Sequence, residues 1–147
     1  MSPMSAGTCR DLGWWQIGQG HDILVVSEAP IDGLTIRAAT ADNPASNSLA
    51  IMATGGTGGL LARQFHGFES IFLATDNDLT GDQIAGEARE LTGPGQTVVR
   101  VRPPSDFKDW NAAWQQDPES VKAVWNEALR GIERGVGKGS EHEGFER

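Results

Sequence analysis

The stretch Ile71-Phe72-Leu73-Ala74-Thr75-Asp76-Asn77-Asp78 decides the reading of this chain: an apolar run that stops abruptly at two carboxylates one residue apart. A short, unbroken apolar run is the mark of a strand covered on both faces. Acids at the mouth of such a strand present oxygen ligands where an α/β sheet binds its ligands. Whether the pair means a metal site depends on whether other acids converge on it. Ile23-Leu24-Val25-Val26-Ser27-Glu28 repeats the pattern, a β-branched run ending in an acid.

Outward from these two runs, strand and helix signals alternate. Gly13 to Ile17 reads as a short leading strand, followed by a turn from Gly18 to His21. Ile23 to Val26 is the first core strand, and Pro30 suits the first turn of a helix running to about Ala39. Thr40 to Ser48 is a polar loop, Leu49 to Ala53 a second core strand, and Thr54 to Gly59 a flexible turn. Leu60 to Phe65 reads as a short helix and Ser70 to Thr75 as the third strand. Thr80 is placed to cap a helix that continues through Leu91 and ends at Gly93-Pro94-Gly95. Thr97 to Val101 forms a fourth strand, halted by Pro103-Pro104. Trp110 and Trp114, four apart, read as packing a helix onto the sheet. From Pro118 to about Ile132, the residues Val121, Val124, Trp125, Ala128 and Leu129 share one helical face. The organisation is a lead-in over 1–21, one domain over 22–134 and a glycine-rich, charged tail over 135–147 expected to be disordered.

This rhythm predicts an α/β, Rossmann-like fold with an about four-stranded, mostly parallel sheet flanked by helices. Acids at strand ends then share one edge, so Glu28 meets Asp76 and Asp78. Asp32, four residues after Glu28, faces the same site from the first helical turn. Clustered carboxylates repel one another unless a divalent cation offsets the repulsion. With no soft ligand nearby, Mg²⁺ (or Mn²⁺) is the natural ion.

Composition narrows the field. The 147 residues, 38% hydrophobic, suffice for one compact core. A formal charge of −8 argues against autonomous, tight DNA binding, because such domains carry a basic face for the phosphates. Cys9, the single cysteine, forms no internal disulfide and no cysteine-rich zinc site, which fits a reducing cytoplasm. No apolar stretch approaches the ~20 residues of a membrane span, and the start lacks the apolar core of a signal peptide. The expectation is a cytoplasmic protein with no membrane association. His21 and His66 lack ligand-like spacing.

The order of V-V-S-E-A-P-I-D (25 to 32), A-T-G-G-T (53 to 57), L-A-T-D-N-D-L-T-G-D (73 to 82) and F-K-D-W-N (107 to 111) resembles the Toprim domain. Such modules occur in bacterial primases, topoisomerases, OLD-type nucleases and recombination mediators. The likeness is closest to the primase-like Toprim domains of plasmid and mobile-element proteins, and it covers roughly Ile23 to Trp114. It implies that Glu28 is a metal ligand or general acid/base, that Asp76 and Asp78 are the metal-binding pair, and that Gly81 lets the next helix start close to them. By the same resemblance Asp32 and Asp109 are auxiliary metal-site acids, while Asn111 stands where primases often carry another carboxylate. Lys108 is positioned to meet a phosphate as a point charge.

What the resemblance implies is Mg²⁺-dependent phosphoryl or nucleotidyl transfer on nucleic acid, DNA with nucleotides, in replication or plasmid maintenance. The chain contains no zinc-binding motif, no basic template-gripping subdomain and no ATPase, and its lack of tyrosine excludes autonomous topoisomerase chemistry. Partners such as a helicase, a relaxase or a zinc-finger primase fragment are therefore expected. Two alternatives stand beside this reading. One is a non-catalytic Toprim scaffold or the remnant of a longer primase. The other is a phosphatase of the haloacid dehalogenase type, since Asp76-Asn77-Asp78-Leu79-Thr80 fits its Asp-x-Asp-x-Thr signature.

Overall fold

A computed structural model describes residues 8–9, 14–55 and 60–135. Among the described residues the central sheet has six strands: β1 (Thr8–Cys9), β2 (Trp14–Ile17), β3 (Ile23–Ser27), β4 (Leu49–Ala53), β5 (Ser70–Leu73) and β6 (Thr97–Arg100). Their spatial order is β1-β2-β4-β3-β5-β6. The four core strands β4, β3, β5 and β6 are mutually parallel, as the sequence predicts, with Ile23 level with both Leu49 and Ser70. The leading strand β2 joins them antiparallel, pairing Trp15 with Ala53, and β1 adds a short antiparallel edge.

The α-helices among the described residues are α1 (Pro30–Thr40), α2 (Leu79–Leu91), α3 (Trp110–Gln116) and α4 (Pro118–Gly135). All five residues of β3 and of β4 are buried, as expected for strands covered on both faces. Alternate side chains point to opposite layers. Ile23 and Val25 pack with Ile36 of α1, with Trp110 and Ala113 of α3, and with Val121 and Trp125 of α4. Leu24 and Val26 pack on the other face with Phe65 and with Ala85 and Ala88 of α2. Trp125 is fully buried, its ring edge-on to Phe72 at 5.7 Å and tilted against Trp110 at 5.3 Å. Both helical tryptophan faces read from the sequence are thus core, although Trp114 is only partly covered.

Several boundaries shift. The segment expected as a short helix is a 3-10 turn over Ala62–Phe65, and β5 ends at Leu73, so that Ala74 and Thr75 already belong to the loop. The cap of α2 is Asp78 and not Thr80: the Asp78 backbone is extended and its carboxylate accepts from the Gly81 N–H at 2.7 Å. An ionised carboxylate at the positive end of a helix is a stronger cap than a hydroxyl. Positions 56–59 of the glycine turn, most of the lead-in and the tail 136–147 lie outside the described residues. Among the described residues, no helix is long and apolar enough to cross a membrane.

Candidate metal centre and its relatives

The site follows from topology. The chain leaves β3 into α1 on one sheet face and leaves the neighbouring β5 into α2 on the other. A crevice opens at the carboxyl ends of two adjacent strands whose connections part in this way. Glu28 stands at the end of β3 and Asp76 just beyond β5. They meet directly: one Glu28 carboxylate oxygen accepts the Asp76 N–H at 2.7 Å, across 48 residues of sequence. The mouth of β3 is fixed as well, because Thr54 N–H donates to Ser27 O at 3.0 Å and Gly55 N–H to Glu28 O at 2.8 Å.

Around this contact the other acids take places that each use one oxygen for structure. Asp78 caps α2 with Oδ1 and turns Oδ2 toward the Lys108 ammonium at 3.6 Å. Asp109 caps α3, accepting from Ala112 N–H at 2.8 Å. Asp32 is only 3% exposed, and its Oδ1 accepts the Asn111 N–H at 3.0 Å, joining α1 to the start of α3. Asn111 contributes its backbone to Asp32, while its side-chain oxygen accepts from the Thr35 hydroxyl at 3.5 Å. Asp76 differs from the rest, because its Oδ1 is buried with no hydrogen-bond partner.

Electrostatics register the crowding. Burial, reinforced by the negative charges of Glu28, Asp32, Asp109 and Asp78, pushes Asp76 up to about 7. Burial also raises Asp32 to about 6, against the opposing effect of the Asn111 hydrogen bond and with the charges of Asp109 and Glu28 adding to the rise. All five predicted acids therefore share one electrostatic neighbourhood.

The backbone beneath them is tightly built. A Cβ on Gly81 would lie 2.1 Å from the Asp76 carbonyl oxygen, so only glycine allows α2 to start this close. The Thr75 hydroxyl donates to Gly81 O at 2.7 Å, and Arg100 donates to Asp76 O at 3.1 Å. Arg100, 4% exposed, also pairs with Asp82 at 3.1 Å, and Arg102 reaches the same Asp82 carboxylate at 3.3 Å. Asn77 turns away from the acids and holds the segment that follows β6, donating to the carbonyls of Pro103 and Phe107. Sequence reading missed Arg100 and Asn77. The only signals were an arginine ending an apolar strand and an amide set between two acids.

The donors suit a hard cation. Among the described residues no three Asp, Glu, His or Cys side chains form a ready-made metal cage. Mg²⁺ does not ask for one, since it is usually held through one or two carboxylates with waters and substrate phosphates completing the octahedron. A buried carboxylate oxygen without a protein partner, in a field of acids, is the kind of donor such an ion takes.

The fold and site together define a Rossmann-like α/β module with acids gathered at its switch point and a helix opened against them by a glycine. The chain belongs to the Toprim-like family, whose model matches residues 25–114. Among solved structures it is similar to the primase fragment of the bacteriophage T7 primase-helicase protein, with TM-score 0.57 and 21% identity over 73% of this chain and 46% of that one. A structure of the T7 lagging-strand DNA polymerase interacting with primase domains of two gp4 subunits, bound to an RNA/DNA hybrid and dTTP, matches with TM-score 0.51 and 27% identity over 73% of this chain and 55% of that one. A small TOPRIM domain protein from Bacillus stearothermophilus matches over its whole length and 82% of this chain, with TM-score 0.50 and 18% identity. No curated protein sequence matches. The chain spans about half the length of the T7 chains it matches. Family membership, with the acid pair following β5 and not the first core strand, replaces the haloacid dehalogenase reading.

Proposed function

We propose that this chain is the Mg²⁺-dependent (or Mn²⁺-dependent) module of a primase-like nucleic-acid-processing system, acting in nucleotidyl or phosphoryl transfer. The observation that carries this reading is the buried, unpartnered Asp76 oxygen amid four other acids, one of which, Glu28, is tied to the Asp76 backbone. Asp76 and Asp78 would hold the ion, with Glu28 as a further ligand or base and Asp32 and Asp109 as auxiliary acids that add negative potential. When bound, the metal supplies neutralisation of phosphate charge and alignment of the attacking and leaving oxygens. Glu28, oriented by the Asp76 N–H, serves as the base for a 3′ hydroxyl. Lys108 is exposed beside Asp78 and meets a phosphate oxygen as a point charge.

The acidic chain has little with which to grip a template, so the activity calls for other domains or chains. A helicase, a relaxase or a zinc-finger primase fragment fits that need, in a cytoplasmic plasmid or mobile-element setting. The T7 polymerase complex, in which primase domains sit with an RNA/DNA hybrid and dTTP, supports a reading in which this module works within a larger assembly.

The test is thermal unfolding with and without Mg²⁺ or Mn²⁺. Saturating metal at one hundred times its Kd adds about 2.7 kcal/mol, a rise of roughly 8 °C for a domain of this size. Asp76→Asn together with Asp78→Asn keeps an oxygen for the α2 cap and removes both charges, so the variant should fold and lose the rise. A wild-type chain indifferent to both metals would sink the proposal.

A further inference from the structure

Asn77 lies between the two acids of the motif and points elsewhere. Its side-chain amide donates both hydrogens, to Pro103 O at 2.9 Å and to Phe107 O at 2.8 Å, and its backbone N–H donates to Lys108 O at 2.8 Å. Between β6 and α3 the chain has no regular structure, only a turn closed by Phe107 N–H on Pro104 O at 2.9 Å. Such a segment is ordered by whatever bonds its backbone finds. Here one residue satisfies three of its carbonyls.

From this we infer that Asn77 is a positioning residue: it docks the 103–108 segment against the acid pair and so sets Lys108 beside Asp78. The Lys108 to Asp78 pair cannot hold the segment by itself. Its ammonium is 67% exposed and 3.6 Å from the carboxylate, and exposed ion pairs of this kind contribute little. Asp109 does not depend on Asn77 in the same way. Its helix is anchored separately, through Trp110 Nε1–H donating to Ala74 O at 2.9 Å and through Asp32 accepting the Asn111 N–H. Loss of the amide at 77 therefore releases the Pro103 and Phe107 carbonyls and leaves Lys108 tied only through its own carbonyl to the residue 77 N–H, so the lysine is placed less firmly while the acids stay. The inference deepens the metal-site reading by assigning the middle residue of the motif the placement of the cation that competes with, and then complements, the metal.

The experiment is a double-mutant cycle on the full chain with Mn²⁺ as the probe, using Asn77→Ala, Lys108→Ala and the double variant. Removing an ammonium from beside Asp78 should tighten Mn²⁺ binding by about three- to fivefold. Asn77→Ala should tighten it similarly, and the double variant no further. A site merely damaged by the substitution would bind Mn²⁺ more weakly, so the sign separates positioning from general structural loss. Amide hydrogen exchange supplies a second reading that needs no metal: in Asn77→Ala, Phe107 and its neighbours should exchange at least about tenfold faster while β3 and α2 keep their protection. If Asn77→Ala does not fold, Asn77→Ser, which keeps one donor, takes its place in both measurements. Unchanged exchange over 103–108, or Asn77 and Lys108 effects that add, overturns the inference. Absence of Mn²⁺ binding by the wild type refutes the metal site instead, and the exchange measurement still decides the role of Asn77.

Discussion

Gly81→Ala measures how closely α2 is set against the acid turn. Helix propensity alone favours the alanine by about 1 kcal/mol. Sterics oppose it, since the new methyl would lie 2.1 Å from Asp76 O, 2.8 Å from Asp76 N and 2.9 Å from Asp76 C. Ordinary contact begins near 3.4 Å, so the helix start or the Asp76 peptide must retreat by about 1.3 Å. Neither is free to do so. The Asp76 N–H is held by Glu28 and its carbonyl by Arg100, while the Gly81 N–H and carbonyl are held by Asp78 and Thr75. Overpacking of this kind costs about 1–3 kcal/mol, and about 1 kcal/mol more follows for each hydrogen bond that the shift breaks. The net loss is about 2–3 kcal/mol, a fall in Tm of roughly 6–9 °C at about 3 °C per kcal/mol.

Gly86→Ala is the internal control: it lies in the same helix, exposed, with nothing within 4 Å of its Cβ. It should stabilise by about 0.5–1 kcal/mol, raising Tm by roughly 2 °C. Thermal denaturation followed by circular dichroism, with urea titration for the free energies, resolves both. Equal and positive shifts for the two variants would refute the close approach of α2 to Asp76.

The pH dependence has a definite sign. Asp76 and Asp32 have folded-state values of about 7 and about 6, above the unfolded 3.8, so the native state binds extra protons in between and metal-free stability falls as pH rises from about 4 to about 7. The Asp76 contribution is at most about 4 kcal/mol before allowance for its contact with solvent; urea midpoints between pH 4.5 and 8 should show a shallower decline in Asp76→Asn, and an identical slope would contradict the crowding of acids. Asp109→Ala should cost about 1 kcal/mol through loss of the α3 cap, whereas Asp109→Ser should cost a few tenths and still weaken Mg²⁺ stabilisation. Equal unfolding midpoints for the two Asp109 variants would remove the capping role.

Much of the architecture was legible because its signals are local. Ile23-Leu24-Val25-Val26 and Ile71-Phe72-Leu73 carry the continuous apolar run of doubly covered strands, and the glycines and prolines between elements mark where they stop. The leading strand was legible from Trp14-Trp15-Gln16-Ile17, but not its direction or its partner, β4, since antiparallel addition to the edge of a parallel sheet leaves no periodic trace. The cap of α2 was misread by two residues because Asp78 and Thr80 are both competent caps, and only the backbone path distinguishes them.

By itself the sequence determined the layered α/β fold and which acids are delivered to one sheet edge, since short parallel strands with right-handed crossovers leave all their carboxyl ends on the same side. The family followed from motif order. Tertiary structure alone decided what each oxygen does. It commits one oxygen of Asp78 and one of Asp109 to helix caps and one of Asp32 to the Asn111 amide, and it leaves an Asp76 oxygen buried and unpartnered. Glu28 and Asp76 lie 48 residues apart, and Asp32 and Asn111 lie 79 apart. Hydrogen bonds depend on tenths of an ångström between such segments, a precision that no local pattern of residue types encodes.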